Sequence, residues 1–179
     1  MKNDPSFVLG ASDAAAVPVV RFEAEKVGGF PPPTDALLDE AIALLNQRFF
    51  SAEFKDILLK ADMKITLGLT PEQVYERITA PNTTDGRIVM RLAVYPDYAG
   101  GGEVGVTTTE ADGQHLTSTF AGYITQNGAK CYAAQLAHEY CHWVGFTHPR
   151  FRFIGNKQHL SVPYVVGDLF AEFLGADCP

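Results

Sequence analysis

The chain has 179 residues, of which 46% are hydrophobic, and its formal net charge is −7. This length supports one sizeable core but is short for two full domains, so we expect one globular domain. Its 14 lysines and arginines are scattered, which argues against nucleic-acid binding because phosphate recognition needs clustered basic side chains.

Residues 1–33 are predicted to be an N-terminal arm whose order the sequence leaves open. Glycines and three prolines in GGFPPPTD, residues 28–35, interrupt regular structure at its end. Asp4, Pro5 and Asp13 interrupt the apolar core that an export signal would need. No apolar run approaches the roughly 18 to 20 residues of a membrane-spanning helix. We therefore expect a soluble chain without a membrane span, in an undetermined compartment.

Three helices are predicted at the start of the domain, which we expect to occupy residues 34–179. The first has apolar residues at helical spacing, namely Leu38, Ile42, Leu45 and Phe49. Thr34 or Asp35 is its candidate N-cap. Residues 51–60 form the second helix, and the sequence T-P-E-Q, residues 70–73, opens the third with a capping box. Between these two helices, residues 65–69 are a candidate strand.

Strands are predicted in the middle of the chain. Residues 87–95 alternate between apolar and polar side chains, which places Ile88, Met90, Leu92 and Val94 on one face. The turn residues Asp112 and Gly113 then separate two threonine-rich segments. These segments are predicted to form a hairpin or two extended stretches, and their polar character suits a sheet edge.

A long helix over residues 129–144 is predicted to carry the functional motif. The run AHEYCHWVGFTH has the pattern H-E-x-x-H-x-x-G-x-x-H, formed by His138, Glu139, His142, Gly145 and His148. On a helix with 3.6 residues per turn, His138 and His142 project from one face. At Gly145 the helix can end through a left-handed residue, so the chain can turn back and bring His148 to the same point.

The motif predicts a zinc site with His138, His142 and His148 as ligands. Three imidazoles leave the fourth tetrahedral position to a water molecule. Zinc lowers the pKa of that water from about 15.7 to about 7, and Glu139 is the candidate general base that accepts its proton. This combination predicts hydrolysis by a zinc-activated water.

The three cysteines cannot form a disulfide framework, because one of them must stay unpaired. Cys131 and Cys141 would lie about 15 Å apart along one helix, so they cannot bridge each other. A bridge to Cys178 stays open. Cys141 is expected to be a small buried apolar residue.

The motif resembles that of the metzincin zinc endopeptidases, and the order of elements from about residue 34 onward is similar to theirs. The resemblance implies an α+β fold, in which a twisted mixed sheet lies above a cleft with zinc at its floor. A second long helix and a short C-terminal helical subdomain would complete it. The resemblance also implies a peptide or protein substrate bound as an extended strand along the sheet edge. We expect that edge within residues 114–123, and we expect a monomer.

Metzincins also carry a methionine turn beneath the metal, but this chain has methionine only at Met1, Met63 and Met90. The segment S-V-P-Y, residues 161–164, resembles that turn with proline in place of methionine. The resemblance implies that Tyr164 approaches the metal or stabilises the transition state. A packed tyrosine with a satisfied hydroxyl is the alternative interpretation.

Other polar residues have weaker functional interpretations. His115 and His159 are isolated, which is typical of surface or supporting histidines. Asp168 is predicted to begin the final helix. Glu23 or Glu25 would lie near zinc if the N-terminal arm were a latency segment. The basic residues after the motif predict either a basic wall beside the site or a solvated loop; they are Arg150, Arg152 and Lys157.

The leading interpretation is a zinc-dependent endopeptidase with Glu139 and Tyr164 as catalytic residues. Two alternatives stay open. One is a catalytically inactive zinc-binding scaffold, and the other is a zinc hydrolase that acts on a non-protein amide.

Overall fold

The computed structural model of the chain describes residues 20–96, 104–148 and 160–179. These residues form four strands, β1 (Arg21–Gly28), β2 (Arg87–Tyr95), β3 (Gly105–Thr109) and β4 (His115–Phe120). The helices in the same residues are α1 (Pro32–Arg48), α2 (Ala52–Leu59), α3 (Pro71–Thr79), α4 (Ala121–Trp143) and α5 (Val162–Phe173). The architecture is mixed α/β, which is compatible with the predicted α+β class. None of these helices is both long and apolar enough to cross a membrane.

The four strands form one mixed sheet in the order β1-β2-β4-β3. β2 pairs in parallel with β1 and β4, whereas β3 and β4 form an antiparallel hairpin. The predicted alternating strand is confirmed as β2, with its apolar face buried at Ile88, Met90, Leu92 and Val94. The hairpin is confirmed as well.

The prediction that the sheet edge lies within residues 114–123 is wrong. β4 lies between β2 and β3, so β3 is an edge strand of the sheet in the described part of the chain. The threonine-rich composition was misleading because Thr117 and Thr119 of β4 are buried and bond to other side chains instead of water. Residues 121–123 are not extended at all, since α4 begins there.

Part of the predicted N-terminal arm belongs to the sheet. Residues 21–28 form β1, and the ring of Phe22 is buried among the core aromatics, 5.4 Å from Phe49 and 5.3 Å from Tyr140 between ring centroids. Residues 1–19 lie outside the described part of the chain. The segment before the proline break therefore contributes both a strand and core packing.

Glu23 and Glu25 do not lie at the histidine motif. Glu23 pairs with Arg87 at 2.8 Å, and Glu25 pairs with Arg91 at 3.3 Å. Both carboxylates thus bond across to β2, on the face of β1 opposite to buried Phe22. The latency hypothesis for these two residues has no support in this arrangement.

The first three predicted helices are confirmed, with a correction at the start of α1. α1 begins at Pro32 with Pro31 as its N-cap, so neither Thr34 nor Asp35 caps it. Prolines fit the first helical turn, because their fixed φ is already helical and they need no N–H partner there. Ser51 caps α2, and the predicted capping box opens α3.

The prediction of a strand over residues 65–69 is wrong. Ile65 forms a single isolated bridge with Ser161, and the chain then takes left-handed conformations at Leu67 (φ 58°) and Gly68 (φ 80°). Two successive left-handed residues turn the chain, so an extended segment cannot continue.

α4 is the central helix of the core, and it packs against α1, α5 and strands β2 to β4. Gly128 interrupts it with φ 74° and ψ −177°, so the predicted motif helix does begin after Asn127-Gly128. A shorter helical segment from Ala121 precedes this break, where the sequence predicts an extended segment.

The C-terminal helix begins earlier than predicted. Ser161 is the N-cap of α5 and Pro163 lies in its first turn, so the segment S-V-P-Y is the start of a helix instead of a separate turn. Asp168, the predicted start, lies in the middle of α5. The cause is again the preference of proline for the first helical turn.

A disulfide joins Cys131 of α4 to Cys178, with the two Cα atoms 5.5 Å apart. The sequence left a bridge to Cys178 open, and in the structure Cys131 forms it. Cys141 is free and fully buried, as predicted. The bridge therefore ties the segment after α5 to the helix that carries the motif.

We expect the disulfide to contribute about 4 kcal/mol to the free energy of unfolding, because it closes a loop of 47 residues. The double variant Cys131→Ala, Cys178→Ser should lose this amount in urea denaturation. Cys141→Ala, which leaves the bridge intact, is the control for loss of a thiol. Equal stability of the double variant and the native protein would contradict the prediction.

Candidate metal centre

The end of α4 reverses the chain at Gly145. Gly145 has φ 90°, its N–H bonds to the His142 carbonyl at 3.0 Å, and the Phe146 N–H bonds to the Cys141 carbonyl at 2.9 Å. These two bonds make a Schellman motif, which needs a left-handed residue at this position. A Cβ on Gly145 would also lie 2.7 Å from Nη2 of Arg77. The predicted helix end is thus confirmed, and it returns the chain toward α4.

The reversal brings three histidines together. One ring nitrogen from each of His138, His142 and His148 lies within 4.8 Å of the others. The ring centroids are 5.3 Å apart for His138 and His142, 5.2 Å for His138 and His148, and 4.7 Å for His142 and His148. The three side chains are therefore close enough to bind one metal ion.

Hydrogen bonds orient two of the three rings. His142 Nδ1 lies 2.8 Å from the Phe146 carbonyl oxygen, which can only accept, so this nitrogen carries the proton. His148 Nδ1 lies 2.9 Å from Oγ of Ser161. In both rings Nε2 is left as the ligand atom, and outer partners of this kind fix the tautomer and the ring plane of metal ligands.

The local environment favours neutral imidazoles. Burial lowers the pKa of His138 to about 3, and the neighbouring His142 and His148 act in the same direction. Burial also lowers the pKa of His148 to about 4, with His142 as the second cause. Neutral imidazole is the form that binds a metal, so protons compete little for these nitrogens near pH 7.

α5 approaches the cluster closely at Gly167. A Cβ at this position would lie 3.0 Å from Cβ of His138 and 3.4 Å from the Ala134 carbonyl oxygen. The missing side chain therefore lets α5 pack directly against the helix turn that holds His138.

Glu139 is buried beside the cluster, with 5% of its surface exposed. Its Oε2 accepts a hydrogen bond of 2.7 Å from the hydroxyl of Thr107 on β3. Burial raises the pKa of Glu139, while the bond from Thr107 and the nearby His142 oppose that rise. A raised pKa brings a carboxylate nearer to the range in which it exchanges protons at neutral pH.

Tyr164 lies against the ligands. Its ring centroid is 4.5 Å from that of His148 and 4.9 Å from that of His138. The first turn of α5 holds it there, so the structure places Tyr164 where the sequence expected it, although on a helix. Its catalytic role stays a prediction.

The three histidines, Glu139 and Tyr164 line one open cavity of about 540 Å³, together with residues of β3. His115 lines the same cavity, and its Nδ1 lies 3.1 Å from Oγ1 of Thr109, so it is outside the ligand cluster. The other predicted polar residues lie outside the described residues, namely His159, Arg150, Arg152 and Lys157.

Sequence reasoning missed three residues that support the site, Thr107, Ser161 and Gly167. Each acts on a partner that is distant in the sequence, at Glu139, His148 and His138 respectively. The only available signal was the position of Ser161 thirteen residues after His148, and it was assigned to a turn. Nothing in the run T-T-T distinguishes Thr107 from its neighbours.

Comparison of the chain with protein-family models, with curated proteins and with solved structures finds no match. The metzincin resemblance thus depends on the motif, the order of elements and the S-V-P-Y segment of this chain. Function has to be argued from the residues at the cavity.

Replacing Gly167 by alanine should force α4 and α5 apart by a few tenths of an ångström. We expect the free energy of unfolding to fall by about 1 to 3 kcal/mol, and metal affinity to fall because His138 is displaced. Gly28→Ala is the matched control, since a Cβ there meets no atom within 4 Å. Denaturation and metal titration measure both effects, and unchanged values for Gly167→Ala would contradict the close contact.

The metal-free protein should lose stability as the pH falls below 6.5. The unfolded chain protonates His138 near pH 6.5, whereas the folded chain does so only at about pH 3, so the loss occurs between these values. From pH 7 to 5.5 the part of the loss that is due to His138 should be about 1 kcal/mol, and His148, whose pKa is also lowered, adds to it. Urea denaturation at both pH values measures it, and His138→Gln should remove this component. An equal loss in the variant would assign the effect to another group.

Proposed function

We propose that the protein is a zinc-dependent endopeptidase. The observation that carries the proposal is the convergence of three imidazoles with a buried carboxylate in one cavity beside an edge strand. A cavity of about 540 Å³ that contains titratable groups with shifted pKa values is the expected setting for catalysis.

The donor set fits zinc. Catalytic zinc sites commonly use three protein ligands and keep one position open, and three histidines are one of the known combinations. Cys141 lies within the motif, but its thiol is fully buried and bonds to the Ala137 carbonyl at 3.3 Å, so it does not add a sulfur ligand. When bound, zinc polarises the substrate carbonyl and makes water nucleophilic near neutral pH.

Glu139 is the general base in this proposal. It accepts the proton of the attacking water and then gives that proton to the nitrogen of the leaving amine. Its burial and the bond from Thr107 keep the carboxylate in one orientation before the substrate arrives.

Tyr164 is proposed to stabilise the negative charge that develops on the substrate carbonyl oxygen. Its ring lies 4.5 Å from that of His148, and a phenolic hydroxyl donates a hydrogen bond without a change of protonation state. Three histidine donors with a tyrosine ring beside them favour the endopeptidase proposal over an inert scaffold, because structural zinc sites use four protein ligands.

β3 is the proposed binding strand for the peptide. It lies at a sheet edge and lines the cavity, and Val106 is 44% exposed. An extended peptide can bond to the main chain of such an edge as an added strand. This placement favours a peptide over a small non-protein amide, because a small amide has no extended main chain to pair with the strand.

Glu139→Gln should lower kcat for peptide cleavage by at least about a hundredfold, while one zinc per chain is retained. The matched control is Glu53→Gln, because Glu53 is exposed on α2. Cleavage of a proteome-derived peptide library, read by mass spectrometry, measures activity, and elemental analysis measures zinc. Removal of zinc by a chelator should abolish cleavage, and added zinc should restore it.

Each alternative gives a different result in this experiment. Native protein that binds zinc but cleaves no peptide would overturn the endopeptidase proposal and leave a scaffold or a hydrolase of another amide. Retained activity in Glu139→Gln would remove Glu139 from the mechanism. Absence of zinc binding would overturn the metal site itself.

A further inference from the structure

A chain of hydrogen bonds connects Glu139 to the only tryptophan of the sequence. Nε1 of Trp143 donates to Oγ1 of Thr117 at 2.8 Å. The hydroxyls of Thr117 and Thr107 lie 2.7 Å apart, and Thr107 donates to Oε2 of Glu139 at 2.7 Å. Four side chains from one helix and two strands are thus joined in sequence.

The two ends determine the direction of every bond in this chain. An indole N–H can only donate, and an ionised carboxylate can only accept. Since Thr107 gives its single hydroxyl proton to Glu139, its oxygen accepts from Thr117. Thr117 therefore donates to Thr107 and accepts from Trp143, and all the dipoles point toward the carboxylate. Bonds aligned in this way strengthen one another.

Local geometry alone produces the arrangement. Glu139 and Trp143 are four residues apart on α4, so they project from one face of the helix. Thr107 and Thr117 are direct partners across the β3–β4 ladder, so their side chains lie on the same face of the sheet. A helix pair and a strand pair therefore close a loop of four side chains.

Burial makes the chain costly to break. Thr117 is fully buried, so water cannot readily replace either of its partners. A buried polar group without a partner is destabilised by its lost hydration, and more so when a charge is involved. The hydroxyl of Thr107 links the carboxylate of Glu139 to the edge strand, and a backbone bond from the same residue adds to this link.

We propose that Thr107, Thr117 and Trp143 are positioning residues that hold the carboxylate of Glu139 toward the cavity and connect it to the substrate-binding strand. The inference rests on the proposed function, because positioning matters for catalysis only if Glu139 is the base. Since Thr107 belongs to β3, the strand that binds the peptide also orients the base that acts on it.

The kinetic test compares variants at Thr107. Thr107→Val keeps the shape of the side chain but removes the hydroxyl, and it should lower kcat about tenfold with little change in KM. Thr107→Ser keeps the hydroxyl and should restore most of kcat. The control is Thr125→Val, since Thr125 is exposed in the first segment of α4, before the break at Gly128, and lies outside the residues that line the cavity. All variants should retain one zinc per chain and stay folded at the assay temperature, although Thr107→Val should melt below the native protein because the buried hydroxyl of Thr117 loses its acceptor.

The second test does not depend on activity. With one tryptophan, the protein gives a single indole N–H resonance in a ¹⁵N–¹H spectrum. That resonance should shift in Thr107→Val and in Glu139→Gln, because each variant changes a donor or an acceptor in the series of hydrogen bonds that begins at Trp143. It should stay in place in Thr125→Val and nearly so in Thr107→Ser.

The two tests separate the possible failures. A native kcat in Thr107→Val would overturn the positioning role, and an unmoved indole resonance in that variant would show that the bonded chain does not reach Glu139. If the native protein cleaves no peptide, the proposed function fails and the catalytic role fails with it. The indole shifts would then still decide whether the three residues orient the carboxylate.

Discussion

Three imidazoles can share one metal only if the helix that carries two of them ends abruptly. A continued helix would carry His148 about 9 Å beyond His142 along its axis, at 1.5 Å per residue. The Schellman motif at Gly145 prevents this, and the same turn offers the Phe146 carbonyl to Nδ1 of His142. One backbone reversal therefore completes the ligand set and orients one of its members.

The rest of the site is held by the packing of α5 on α4. Gly167 allows close approach at His138, while Ser161 and Tyr164 in the first turn of α5 contact His148. A segment that resembles a methionine turn in sequence is here a helix start that delivers a hydroxyl and a ring to the ligands. Because this packing removes water from His138 and Glu139, it lowers the pKa of the imidazole and raises that of the carboxyl group.

The sheet supplies both a surface and a polar interior. Its face toward α4 contains threonines that would be expected at a solvent edge, and they instead bond to Glu139, Gln135 and Trp143. Buried hydroxyls with fixed partners give a rigid environment, which suits a general base that must not move when substrate binds. The exposed edge strand and the buried base are therefore parts of one unit.

The sequence by itself determined the features that depend on nearby residues. The spacing in H-E-x-x-H-x-x-G-x-x-H placed two histidines on one helical face and ended the helix at Gly145, and alternation identified β2. Tertiary structure decided the rest. In the described part of the chain, β3 instead of β4 lies at an edge of the sheet. Cys131 pairs with Cys178 in the disulfide, and Thr107 pairs with Thr117 across the hairpin. These outcomes depend on which distant segments pack together, and a local pattern of polarity holds no information about the partner that will satisfy a buried hydroxyl.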